Sequence, residues 1–113
     1  MAIITTCKPP DFALIHEERS ILDHMEFCLT REDYDQAKPH PEPYLKGLQR
    51  FGATSAEAVV IEDSERGLKS AVAAGIDCIV VANEFTASHD FSKATAKVDT
   101  FWELPSAIRG LTP

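Results

Sequence analysis

The sequence predicts an α/β protein in which helices cover both faces of a parallel sheet. Three observations carry that reading. Short apolar runs rich in β-branched residues recur at 2–6, 27–30, 58–61 and 78–82. Segments with apolar residues at helical spacing lie between them, and strands that alternate with helices make βαβ units. The run Ala58-Val59-Val60-Ile61 also lacks polar alternation, as expected of a strand buried on both faces of a parallel sheet.

The elements follow in order. A first strand over 2–6 ends in Thr5 and Thr6. Residues 11–24 carry Leu14, Ile15, Ile21 and Leu22 on one stripe, with Met25 next along it and Glu17 and Glu18 on an acidic face. After the strand at 27–30, residues 42–51 repeat Tyr44, Leu45, Leu48 and Phe51, and Gly52 ends the helix. The strand at 58–61 runs into Glu62 and Asp63. Ser64 is placed to cap the next helix, Leu68, Ala71 and Val72 form its apolar face, and Gly75 supplies a left-handed stop. The strand at 78–82 leads into a polar connection over 83–95, in which Phe85 and Phe91 are expected to pin the loop to the body. A weak strand near Val98 and a short helix over 105–109 close the chain, with Phe101, Trp102 and Leu104 expected to pack.

Composition bounds the function. With 113 residues, 44% hydrophobic and 26% charged, residues 1–113 fit one globular domain of modest core. No apolar stretch reaches a membrane span and the first residues do not read as a signal peptide, so the expected compartment is cytoplasmic. Cys7, Cys28 and Cys78 are odd in number and lack C-x-x-C spacing, which supports neither a disulfide framework nor a zinc knuckle. A net charge of −7 without a Lys/Arg cluster speaks against nucleic acid as a partner. A phosphorylated small molecule stays compatible if a local cation reverses the field.

Three segments carry candidate chemistry. Glu62 and Asp63 stand side by side at the carboxyl end of a strand, the edge where open α/β sheets bind ligands. Adjacent carboxylates repel unless a cation or donor intervenes, and Mg²⁺ suits one or two carboxylates plus water and phosphate. The plainer reading makes one acid a helix cap and leaves the other solvated. In Ala37-Lys38-Pro39-His40-Pro41-Glu42-Pro43-Tyr44-Leu45, prolines at alternate positions stiffen a loop that presents Lys38. Such a lysine serves a phosphate or a set of carboxylates; the plainer reading is a surface lysine ahead of a helix-entry proline. Thr5 and Thr6, with the backbone N–H groups that follow, could cradle a phosphate.

Taken together, the strand ending in Thr5, then Lys38-Pro39 with Pro41-Glu42-Pro43-Tyr44-Leu45, then Val59-Val60-Ile61-Glu62-Asp63-Ser64 with Gly67 and Ala73-Ala74-Gly75, resemble the haloacid dehalogenase superfamily. The match is to its phosphoglycolate phosphatase and β-phosphoglucomutase branch. That resemblance implies a Rossmann-like three-layer fold and Mg²⁺-dependent phosphoryl transfer through an aspartyl-phosphate. It assigns Thr5 to the transferring phosphoryl group, with Thr6 beside it, Lys38 to the charge of nucleophile and phosphate, and Asp63 with Glu62 to Mg²⁺. The family's first strand, which ends in the nucleophilic D-x-D, and its cap domain have no counterpart here, since Met1 opens on what resembles the second strand. Asp33-Tyr34-Asp35 has the D-x-D spelling without a buried strand before it.

The expectation is a partial core, the C-terminal part of a phosphatase for a small phosphorylated metabolite, inactive alone. The alternative is a noncatalytic module that binds Mg²⁺ and phosphate or serves interaction. Without the central strand, the strands at 2–6 and 58–61 are expected either to pair directly or to self-associate through exposed edges.

Overall fold

The structure, a computed structural model, describes residues 2–4 and 27–111. Its elements are β1 (Ala2–Ile4), β2 (Phe27–Leu29), α1 (Glu42–Phe51), β3 (Val59–Glu62), α2 (Glu65–Ala73), β4 (Asp77–Val81), β5 (Ala96–Val98) and α3 (Leu104–Leu111). The helix expected over 11–24 lies outside the described residues. Every described strand pair is parallel, as the alternation of strands and helices requires. Phe91 packs against the core as expected, and Gly52 and Gly75 take left-handed φ values of 66° and 75° beyond the two helices they end.

The core has two sides because side chains alternate along β4. Val60, Cys78 and Val80 meet Tyr44 of α1 and Leu68 and Ala71 of α2 on one face. Ile79, Val81 and Val98 meet Leu104, Ala107, Ile108 and Leu111 of α3 on the other. Helices therefore sandwich a parallel sheet in three layers. Ile79 and Val80, at 0% exposure, mark β4 as the central strand of this part.

Four expectations need correction. The strands β1 and β3 do not pair: the described strands form two separate sheets, β1–β2 and β3–β4–β5. Ile4 packs against the core that includes Val60, and a polar link joins the two sheets as well, because Lys38 Nζ donates to Ile4 O at 3.2 Å and to Glu62 Oε2 at 2.5 Å. Ile61 is 40% exposed rather than buried, since no described strand lies along the outer edge of β3. Phe85 does not pin its loop; it sits 85% exposed on a turn whose backbone is held by Asn83. Trp102 does not pack either, being 91% exposed, while Leu104 two residues on reaches the core.

Between the two sheets lies a cleft of about 390 Å³ bordered by Ile4, Lys38, Tyr44, Leu48, Ile61 and Glu62. Helix α1 seats β1 against one wall: a Cβ added at Gly47 would stand 2.5 Å from Ile4 Cδ1, so a larger residue there would require the Ile4 side chain to shift.

Candidate functional site

Lys38 reaches the site from a loop that helix α2 holds in place. Arg66 donates from its guanidinium to Lys38 O at 2.7 Å, and the Ser70 hydroxyl donates to His40 O at 2.7 Å. Further along, His40 Nδ1 accepts from Glu42 N at 3.1 Å. The Glu42 carboxylate accepts from Asp35 N at 2.5 Å and Gln36 N at 3.1 Å, and these N–H bonds hold it below its ordinary carboxylate range. With Pro39, Pro41 and Pro43 removing backbone freedom, the segment enters α1 as a tethered, stiff unit.

The opposite wall is the end of β3. Glu62 accepts on one oxygen from Lys38 Nζ and from the Tyr44 hydroxyl, while its other oxygen stands 3.4 Å from Asp63 N. The ion pair is largely shielded, with 12% of the Lys38 side chain and 9% of the Glu62 side chain exposed. Lys38 Nζ also sits 4.8 Å from the centre of the Tyr44 ring, within cation–π range. Gly67, in the first turn of α2, makes the room. A Cβ there would collide with the Glu62 carboxylate. The Ser64 hydroxyl accepts from Gly67 N at 3.2 Å, the helix cap that the sequence predicts.

Asp63 is exposed at the carboxyl edge. Its Oδ2 stands 3.5 Å from Asn83 Nδ2, and Asn83 Oδ1 accepts from Phe85 N and Thr86 N to shape the turn after β4. The structure thus brings Lys38, Glu62 and Asp63 to one edge. Thr5 and Thr6 lie outside the described residues, although Ile4 O, one residue earlier, contacts Lys38. Asp33 lies elsewhere: its Oδ2 accepts from Thr30 N at 2.6 Å and Thr30 Oγ1 at 3.2 Å, closing a short turn.

Burial and charge act together on the cleft's inner wall. The Tyr44 hydroxyl is pushed far above its ordinary ionisation, first by burial and then by the Glu62 carboxylate. Burial, with Glu62 second, pushes the Cys78 thiol up to about 12. Cys78 and Cys28 are both free thiols. Among the described residues no group of three or more His, Cys, Asp or Glu side chains could enclose a metal. The donors at the edge are all carboxylate oxygens, which fits a hard cation that takes one or two protein ligands and completes its shell with water and phosphate.

Sequence reading missed the part played by Tyr44, which it placed among apolar stripe residues. The signal available was its hydroxyl, since a buried phenol needs a partner. Arg66, Ser70 and Asn83 gave no comparable signal, because their contacts join segments far apart in the chain.

Parallel strands flanked by helices, with a lysine and two acids gathered at their carboxyl edge, define an α/β protein. The sequence model for haloacid dehalogenase-like hydrolases matches residues 1–81, and the chain belongs to that family. It is 36% identical over 90 residues to the protein CbbY of Rhodobacter capsulatus, covering 80% of this chain and 37% of that one. It is also 37% identical over 67 residues to glycerol-1-phosphate phosphohydrolase 1 of Saccharomyces cerevisiae, covering 53% of this chain and 27% of the relative. The crystal structure of CbbY from Rhodobacter sphaeroides in complex with phosphate superimposes with a TM-score of 0.82 at 27% identity. That match covers 91% of this chain and 47% of the other; a mutant of the same protein in complex with xylulose-(1,5)bisphosphate matches equally. The chain spans less than half the length of each of these relatives. None of its described helices is long and apolar enough to cross a membrane.

Proposed function

We propose that these residues form the phosphate- and Mg²⁺-binding part of a cytoplasmic phosphatase that acts on a small phosphorylated metabolite through an aspartyl-phosphate. The observation that carries this reading is the convergence of Lys38 and Glu62 on the open cleft between the two sheets, with Asp63 next in the chain at the carboxyl end of β3. Lys38 supplies positive charge where phosphoryl oxygens and an attacking carboxylate would meet, and Thr5 and Thr6 bind the phosphoryl group. Asp63 with Glu62 would hold Mg²⁺, which when bound neutralises charge on the transferring group. Pairing with Glu62 keeps the ammonium aimed while no anion is present.

The same reading makes the 113 residues inactive alone. Covalent transfer needs a positioned carboxylate nucleophile. Asp33 is the first acid of the chain's one D-x-D, and its carboxylate is taken up by Thr30. A nucleophile carried on an added strand would enter where the edges of β1 and β3 stand open.

The test is a thermal-shift measurement with millimolar MgCl₂ and inorganic phosphate, run beside an assay with p-nitrophenyl phosphate. The expected result is stabilisation that disappears in Asp63→Ala, with no turnover. Absence of any shift would overturn the binding assignment, and turnover lost in Asp33→Asn would overturn the assignment of that loop. The proteins that share this architecture with phosphate and a sugar bisphosphate bound support small phosphorylated molecules as the ligand class.

A further inference from the structure

Lys38 and Tyr44 are six positions apart, and the chain between them has little freedom. Three prolines restrict it, and Arg66 and Ser70 fasten its carbonyls to α2. Both side chains therefore arrive at Glu62 from one stiff module. They meet it at the same atom, Oε2, with the Tyr44 ring 4.8 Å from the ammonium. Tyr44 is 7% exposed, and among the described residues its hydroxyl donates to Glu62 Oε2. A phenylalanine would fill this volume equally well and leave the core intact. The hydroxyl is thus the part of Tyr44 that packing does not require.

We propose that Tyr44 is a positioning residue: its hydroxyl holds the Glu62 carboxylate against Lys38 and so fixes the direction in which the ammonium points. A carboxylate on a strand end can rotate, and one ammonium on a long flexible stem does little to stop it. A second donor on the same oxygen, from a ring buried in the core, restricts that freedom. Gly67 completes the device, because the carboxylate occupies the space that any side chain at that position would fill. The catalytic meaning of this contact rests on the phosphatase reading above; the contact itself does not.

The experiment is timed reductive methylation of the 113-residue chain, with each lysine followed by mass spectrometry. Lys38 is expected to react more slowly than the exposed Lys46. Tyr44→Phe is expected to speed labelling of Lys38 by about tenfold, the order of effect of losing one charge-assisted hydrogen bond, and to leave Lys46 unchanged. Glu62→Gln is expected to speed it further. The double variant Tyr44→Phe/Glu62→Gln should react no faster than Glu62→Gln alone, since Tyr44 acts through Glu62. Equal rates for Lys38 in wild type and Tyr44→Phe, or additive effects in the double variant, would overturn the proposal. If Tyr44→Phe loses its native circular dichroism, the hydroxyl is required for packing and the proposal likewise falls. Because no metal or turnover enters this measurement, a missing Mg²⁺-phosphate shift would sink the phosphatase reading and leave the role of Tyr44 standing.

Discussion

Lys38 Nζ and Glu62 Oε2 lie 2.5 Å apart across the gap between two parallel sheets, and this ion pair is the polar bridge from β1 to β3. The pair is largely shielded, and for such a pair the cost of desolvation can exceed the Coulombic gain.

Removing one partner should therefore be worse than removing both. Lys38→Met is expected to destabilise the chain by about 3 kcal/mol, because it strands the shielded Glu62 carboxylate. Lys38→Met/Glu62→Gln is expected to recover more than half of that loss. Urea denaturation of the single and double variants measures the difference, and equal midpoints would refute it.

Gly67 should tolerate no side chain while Glu62 is present. Gly67→Ala is expected to cost about 2 kcal/mol through overpacking against that carboxylate. Glu62→Ala in the same chain should relieve most of the penalty, a suppression that thermal melts of the two variants will read.

Alkaline pH should weaken the fold through Cys78. Its thiol rises from 9.0 to about 12 in the folded chain, mainly because it is buried. The neutral form is thus favoured by folding. Stability from this group is complete below 9.0 and is lost as pH climbs towards about 12. The Tyr44 hydroxyl, also raised, adds in the same direction. Cys78→Ala should flatten the decline in stability above pH 9.0 relative to wild type. Unchanged slopes in the two proteins would contradict this.

Acid should act on different groups. Glu42, Glu57, Glu65 and Glu103 each sit below the ordinary 4.5, held there first by backbone N–H bonds. Folding favours their charged forms. That stability is present above 4.5 and drains away as pH falls through their lower folded values. Carbon-detected titration of the four carboxyls should show all of them ionising below 4.5.

The open edges of β1 and β3 should make the chain self-associate. Light scattering is expected to show mass rising with concentration, and Ile61→Lys on β3 should suppress the rise. A constant monomer mass would remove this expectation.

Much of the fold was legible because local signals and tertiary packing agree. The helix over 42–51, the Ser64 cap and the turn at Gly75 each follow from a few neighbouring residues, and each stands where the sequence places it. The placement of Lys38, Glu62 and Asp63 near one strand edge was legible, since charges at strand ends and in proline-rich loops stand out. The wiring around them was not. The contacts of Tyr44 with Glu62, Arg66 with Lys38 and Asn83 with Asp63 bridge segments whose approach only the fold decides. Ile61, Phe85 and Trp102 misled for a related reason: hydrophobicity states a preference for burial, and the described chain covers these three only in part or hardly at all.

The parallel ladder between β3 and β4 is closed by a crossover made almost entirely of α2, running from Glu62 to Asp77. This loop is short, so little chain entropy opposes its closure, whereas β1 and β2 are joined through a longer excursion. Residues 59–81 are therefore expected to pair early in folding. Amides of Ile79 and Val80 should exchange last with deuterated solvent, and those of β2 well before them. The acids at the end of β3 would then be set in place early, with Lys38 arriving afterwards to meet a carboxylate already held.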